Sequence, residues 1–338
     1  MLKIKNKKLI KKYNDNQLKF NLVKDEKGSI FSGLYLVMII SVILIAILML
    51  NLSIGYNDIN KNELNTKTFN YILNDYKSNI PDLSYKVLEN LSNKVVKSGA
   101  PLTNSKETIK EEIGKSMMKK NKEYYKNSGI KIESKVIYVG DGKDPFHINI
   151  KTVINAFKDN MRYNDQITSE ISIENLKDPL PAIKCSKYPN FSYNETNYNY
   201  GDSLSKFLES KNQSGNQYYI NGSSPAIIKR CVYEPYTQHG EGISMKNCLN
   251  NGYYHESRDG SCYFHRLEGV EQCLDYGMET FILPNPKLNQ SELKATSSPD
   301  HVIFGYSYPG ESLLINSYSG TKTLIFLDNA HRKKYGFS

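Results

Sequence analysis

The chain has 338 residues, 39% apolar and 23% charged, which is enough for a folded core and excludes a wholly disordered polypeptide. Its formal net charge of +9 would suit a nucleic-acid binder, but the excess is local: residues 1–29 hold nine Lys against Asp15, Asp25 and Glu26, and the rest of the chain carries only +3. No basic face remains to follow a phosphate backbone, so nucleic acid is not an expected partner.

The Lys-rich segment runs directly into an uncharged stretch, Ile30 to Leu50, of 21 residues. As a helix this stretch spans about 30 Å, the hydrocarbon thickness of a bilayer. Positive charge just before such a helix is retained on the cytoplasmic side, so residues 52–338 are expected outside the membrane. A removable secretory signal would have a shorter apolar core and a small-residue cleavage site. Asn51-Leu52-Ser53-Ile54-Gly55 offers no such site, so the lipid bilayer is the first expected partner.

The residues before the apolar run, Asp25-Glu26-Lys27-Gly28-Ser29, add a further reading. A basic residue and Gly ahead of about twenty apolar residues resembles the class III signal of type IV pilin-like proteins. That resemblance implies cleavage between Gly28 and Ser29, after Lys27, with Ser29 as the new first residue. It also implies packing of the hydrophobic helix against other pilin-like subunits. Such subunits usually carry Glu at the fifth mature position, which here is Gly33; this departure fits a minor or tip subunit. Two downstream strings, SIENLKDPL (172–180) and CYFHRLEG (262–269), resemble phrases of large archaeal pilin-like surface proteins. An uncleaved single anchor is the alternative.

Beyond the membrane run, Leu52, Tyr56, Ile59, Phe69, Leu73, Tyr76 and Ile80 keep helical spacing and predict a stem, with Pro81 as its stop. Asp82–Lys97 reads as a second helix, ended by Gly99-Ala100-Pro101. A third helix is expected after a cap at Asn104 or Ser105, with Ile109, Ile113, Met117 and Tyr124 inward and Gly129 as its end. The period then becomes two: Ile130, Ile132, Ser134, Val136 and Tyr138 share one face, Asp141-Gly142 turns, and Phe146, Ile148, Ile150 and Val153 return. A further strand is predicted over 161–173. Residues 186–225 read as loops with short strands, and 301–328 as two or three strands. The predicted fold class is therefore α+β: a long N-terminal hydrophobic helix, a helical stem, then a mostly antiparallel β ectodomain with disulfide-stapled loops. The corresponding segments are a basic cytoplasmic segment or leader (1–28), a transmembrane helix (29–51), the stem (52–128), a β-hairpin region (129–181) and a cysteine-containing β-rich extracellular region (182–338).

All five cysteines, Cys185, Cys231, Cys248, Cys262 and Cys273, fall in the last of these segments. Outside a cell membrane disulfides are the default, so two bridges are expected, with Cys248–Cys262 or Cys262–Cys273 favoured and one cysteine left over. A metal is the rival reading, since His239, His255 and His265 intersperse with these cysteines and Cys262-x-x-His265 has a short ligand spacing. No second close pair accompanies it, so neither a metal nor another cofactor is expected. The chain has no G-x-S-x-G, H-E-x-x-H, P-loop or G-x-G-x-x-G, and the HGEG at 239–242 has no serine elbow beside it. No catalytic residue, and no enzymatic activity, is expected. Gly140–Asp144 lacks the oxygen ligands of a calcium loop and reads as a turn. Tyr188, Tyr193, Tyr198, Tyr200, Tyr218 and Tyr219 could stack on a glycan or pack a loop, and the absence of Trp weakens the glycan reading. The expected function is a membrane-anchored extracellular pilin-like surface protein, structural or adhesive. The alternative is an uncleaved single-pass binder of a glycan or protein ligand, or a tethered enzyme.

Overall fold

A computed structural model describes residues 29–213, 216–241, 243–274, 276–285, 297–305, 311–316 and 322–337. Lys27 and Gly28 of the expected cleavage site lie outside the described residues, and Ser29 is the first residue of helix α1, Ser29–Ser98. The chain divides into two units, Met1–Lys67 and Thr68–Ser338. In the first unit, Gly33–Tyr56 is a helical stretch of 24 residues long and apolar enough to cross a membrane, and none of its apolar window is buried.

The second unit begins with the remainder of α1. Pro81 lies inside this helix rather than ending it. A proline removes one backbone hydrogen bond, but Tyr76 and Ile80 before it and Leu88 after it are almost wholly buried. Their burial, at about 25 cal/mol per Å² of apolar surface, outweighs one lost bond. The helix stops at Ser98, followed by Gly99 with φ of +64°.

Helix α2, Ser105–Ser128, is capped as its sequence predicts: the Asn104 side chain accepts a hydrogen bond from the Glu107 N–H, and Gly129 takes a left-handed conformation. Ile109, Ile113 and Met117 face inward. Strands β1 (Lys131–Asp141), β2 (His147–Lys158) and β3 (Met161–Ser172) form an antiparallel meander in the order β1-β2-β3. One core joins α1, α2 and this sheet, with Leu73, Leu88 and Ile113 beside Ile132, Ile150 and Ile171. The period-two reading fails at two points: Val153, grouped with Ile148 and Ile150, is on the other face of β2, where Thr152 and Ile154 are the buried residues, and Tyr138 faces out. A register shift between Val136 and Tyr138 puts Tyr138 on the exposed side, because an extra residue in one strand reverses the alternation beyond it.

The rest of the unit is assembled from short pieces. They are α3 (Leu180–Cys185), β4 (Ser192–Tyr193), β5 (Asn197–Asn199), α4 (Ser203–Glu209), β6 (Ser223–Pro225), α5 (Ile243–Asn251), β7 (His255–Ser257) and α6 (Tyr263–Glu268). There follow β8 (Gly277–Glu279), β9 (Phe281–Ile282), β10 (Ser298–Pro299), α7 (Asp300–Phe304), β11 (Glu311–Asn316), β12 (Lys322–Leu327) and α8 (Asn329–Tyr335). The paired strands are antiparallel: β4-β5-β6, β7-β8, β9-β10 and β11-β12. The stretch His301–Phe304, expected as strand, is helical in α7.

A buried ion triad ties these pieces together. Arg266 on α6 is fully buried and reaches Asp178 at 2.6 Å and Asp300 at 2.7 Å, both also fully buried. Two more of its donors go to the Met278 and Ser261 carbonyls, and the Tyr254 hydroxyl donates to Asp178. Thus Asp178 of SIENLKDPL and Arg266 of CYFHRLEG, far apart in sequence, meet directly. Two further contacts fasten this part to the helix–sheet part: Ser92 Oγ to Tyr263 Oη at 2.7 Å, and the Glu268 carboxylate accepting from the Ser105 N–H and hydroxyl.

The expected disulfides do not form. None of the five cysteines is bridged. The thiols of Cys231 and Cys248 stand 3.3 Å apart, well beyond the ~2.05 Å of a disulfide bond. Cys185 is wholly buried beside Leu180 and Phe207 in an apolar cluster, where burial pushes its thiol up. The stapling that the sequence suggested is supplied instead by the ion triad and by the convergence of the other cysteines with histidines.

Candidate metal centre

Four side chains from four local elements converge within residues 174–337, the sequence-distal part of the second unit. Cys231 follows a parallel bridge between Arg230 and Tyr254, and its N–H donates to the Tyr254 carbonyl. That places it beside His255, the first residue of β7. His239 sits in a 3₁₀ turn, Tyr236–Glu241, and Cys248 on the inner face of α5. All four are no more than 2% exposed.

Their donor atoms all lie within 4.8 Å of one another. Cys231 Sγ is 3.3 Å from Cys248 Sγ and 3.5 Å from His239 Nε2; His239 Nε2 is 3.1 Å from Cys248 Sγ and 3.2 Å from His255 Nε2. Tetrahedral zinc, with bonds of about 2.0–2.3 Å to nitrogen and sulfur, sets its ligands roughly 3.3–3.8 Å apart. The observed spacings are within a few tenths of an ångström of that figure, and two thiolates with two imidazoles make a Cys₂His₂ donor set.

The surroundings suit a bound dication. His239 Nδ1 is 2.7 Å from the Tyr236 carbonyl, which fixes that nitrogen as the N–H and leaves Nε2 as the ligand. Burial lowers the His255 pKa and favours its neutral, metal-binding form. The hydrogen bond from Cys248 pulls the Cys231 thiol down towards thiolate, and that thiolate in turn pushes Cys248 up; a dication would replace both protons. The Tyr236 ring stands edge-on against both histidines, and the Tyr335 ring is edge-on against His255 and tilted against His239. The turn carrying His239 lies so close to the end of α8 that a Cβ on Gly240 would come within 2.0 Å of the Gly336 carbonyl. Gly240 of the HGEG string therefore serves close packing.

A smaller constellation is formed by Cys262, His265 and Cys273. His265 Nδ1 on α6 is 3.3 Å from Cys262 Sγ and 2.9 Å from Cys273 Sγ. It supplies three donors of thiolate and imidazole type.

The sequence reading treated Cys231, Cys248, Cys262 and Cys273 as disulfide candidates; the fold brings the first two together with two histidines and the last two with one. Spacing concealed the first group, because seven, eight and six residues separate its successive members and each ligand occupies its own element. One signal was present: every cysteine but Cys185 and every histidine but His147 lies between 231 and 331. Tyr198 and Tyr200 of the Tyr-rich stretch are fully buried, donating to or pairing with Asp178 O and Ser224 Oγ, which leaves those two rings unavailable to a glycan. Comparison with known proteins finds no matching family model, no matching curated protein and no matching solved structure.

Proposed function

We propose that this protein is a single-pass membrane-anchored surface protein of the pilin-like kind, structural or adhesive in role, whose outer unit is fastened by a metal ion at Cys231, His239, Cys248 and His255. The observation that carries the anchoring is the helical stretch Gly33–Tyr56, apolar over 24 residues and with no protein surface covering it. A stretch of this kind in water would forfeit tens of side-chain burials at about 1.5–3 kcal/mol each, so lipid or neighbouring helices must cover it. The Lys-rich residues ahead of it orient the remainder outward. The thiols now give no support to either compartment, because metal ligation explains them as well as an oxidising exterior would.

Mass spectrometry of the protein extracted from membranes tests the pilin-like part. A mature chain starting at Ser29 is the expected result. An intact Met1 would point to the uncleaved anchor, and a full-length chain recovered in the soluble cytosolic fraction would end both readings.

A second test addresses the fastening. Cobalt added to the chelator-stripped full chain in detergent should give thiolate-to-metal charge-transfer absorption, and Cys248→Ser should weaken it strongly. Absence of that absorption in the wild type would remove the metal from this centre.

A further inference from the structure

A second group of donors lies apart from the cysteines, at the edge of a cleft of about 440 Å³. Asp259 follows β7, Glu279 ends β8, His301 is the second residue of α7 and His331 lies on α8. One donor atom from each lies within 4.8 Å of every other. Glu279 Oε2 is 2.9 Å from His331 Nε2 and 3.6 Å from His301 Nδ1, and Asp259 Oδ2 is 3.4 Å from His301 Nε2. Metal–oxygen and metal–nitrogen bonds of about 2.0–2.2 Å put neighbouring ligands roughly 3–3.6 Å apart; a common ion would take one ring nitrogen of His301 and so use one of its two carboxylate approaches, the four donors staying within 4.8 Å.

An ordinary buried ion network explains part of this arrangement but not all of it. Glu279 is wholly buried and accepts from Ser257, His331, Lys334 and Tyr335, which accounts for the carboxylate. It does not account for His301. That ring is 1% exposed and stacks on His331 at 5.3 Å, yet neither of its nitrogens makes a hydrogen bond. A buried imidazole held only by long ion-pair approaches is poorly satisfied. Each nitrogen faces a carboxylate outside hydrogen-bonding geometry, Nε2 towards Asp259 and Nδ1 towards Glu279, so either can turn to a ligand shared with that carboxylate.

The outer contacts agree. His331 Nδ1 is 3.0 Å from Asp328 Oδ1, the carboxylate–histidine arrangement that orients an imidazole for ligation. Lys334 takes the far oxygen of Glu279, Oε1, and leaves Oε2 facing the two histidines.

We infer that Asp259, Glu279, His301 and His331 form a second site, for a divalent first-row transition ion held by two imidazoles and two carboxylates and open to the cleft. Imidazole with carboxylate is a harder donor set than the thiolate centre and suits zinc, iron(II) or manganese. The site also differs from that centre in access. Asp259, 52% exposed in its side chain, and His331 line the cleft beside Arg258, Tyr276 and Lys333, so water or a small anion can reach the ion there. That is the arrangement of a site with a replaceable ligand, whereas the Cys₂His₂ group is closed on all sides.

The test is metal counting on the full chain in detergent, stripped with chelator and titrated with cobalt. The absorption at thiolate-to-cobalt wavelengths reports the cysteine sites alone, and total bound metal reports all sites. Wild type is expected to bind one equivalent beyond those that develop thiolate absorption. His301→Ala should lose that equivalent with the thiolate absorption intact. Asp259→Asn, a half-exposed position that leaves the buried network in place, guards against a folding defect in the first variant and should weaken the extra equivalent by about tenfold or more. Wild type binding cobalt only at thiolate sites, or both variants binding as much as wild type, would overturn the inference. Neither outcome bears on the membrane anchor or the cysteine centre, which have their own readouts.

Discussion

The two parts of the second unit are held together by different means. Residues 68–173 are two long helices against a three-stranded meander, cemented by aliphatic side chains such as Leu88, Ile113 and Ile150. Residues 174–337 are strands of two to six residues and helices of five to nine, which bury few apolar groups apiece. Beside apolar clusters such as Leu204 with Phe207 and Phe304, and Met245 with Ile325 and Leu327, their interior holds a fully buried Arg266 between two aspartates, a Cys₂His₂ cluster and a buried Glu279 with two histidines. The lesson is that short elements, whose apolar residues are divided among several clusters, add directional polar centres to reach a defined arrangement, and such centres fail abruptly when one member is removed.

The largest expected effect follows from that contrast. Arg266→Met leaves Asp178 and Asp300 buried without their cation and should destabilise the distal part by about 3–5 kcal/mol. Hydrogen exchange would place the loss in residues 174–337, with amides of β1–β3 keeping most of their protection. An equal loss in both parts would show that the two unfold as one.

Chelation is next. With metal present at about a thousand times its dissociation constant, a bound ion adds about 4 kcal/mol to the state that holds it. In thermal melting in detergent, chelator should therefore bring out a lower transition in the wild type, and Cys248→Ser, already lacking the ion, should show that lower transition without chelator. A single transition unmoved by chelator would contradict the fastening role.

Ile113→Ala, at a fully buried position of α2, should cost about 2–4 kcal/mol and do so without altering metal content. Asn104→Ala removes the α2 cap and should cost about 1 kcal/mol, read as a shift in the urea midpoint. Both sharpen the contrast by confining damage to the apolar part.

The smallest effect is a pH dependence at the seam between the parts. Burial pushes the Asp144 carboxyl up, but hydrogen bonds from the His147 ring and the Phe146 N–H, with the Arg230 charge, outweigh it and hold the pKa below the ordinary 3.8. A lowered folded pKa means that this stability is present above the unfolded value and is lost as pH falls through the folded one. Asp144→Asn should therefore be less stable than wild type near neutral pH, and the difference should vanish in strong acid. Urea titrations at several pH values would show it, and a difference that persists unchanged in strong acid would rule the linkage out.

The apolar part was largely readable in advance. Asn104 and Gly129 bracket α2 as capping chemistry requires, and strands β1 to β3 follow the period-two pattern, because each of these signals is local to one element. The failures are equally local in origin. Pro81 gave a correct statement about its own backbone bond but none about the burial of Tyr76, Ile80 and Leu88 that overrides it. Tyr138 was assigned its face by parity, and parity does not survive a bulge.

The distal part was much less readable. A strand of three residues such as β7 has too few positions to display a period, and His301 was assigned to a strand that is in fact α7. The cysteines were visible and their crowding beyond residue 230 was visible; the partners were not. Ligands separated by six to eight residues carry no pairwise signature, because contact between them depends on how loops close in three dimensions.

By itself, then, the amino-acid order determined the features that depend on neighbours along the chain: the uncharged membrane-length helix and its Lys-rich flank, the capped α2, the alternating strands. Tertiary structure alone decided which cysteine meets which histidine, that Asp178 and Asp300 share Arg266, and that the thiols converge on imidazoles and not on each other as disulfides. The physical reason is range. Helix periodicity and capping act over three or four residues, whereas a coordination sphere or a buried ion triad is specified only when segments remote in sequence are brought within about 4 Å.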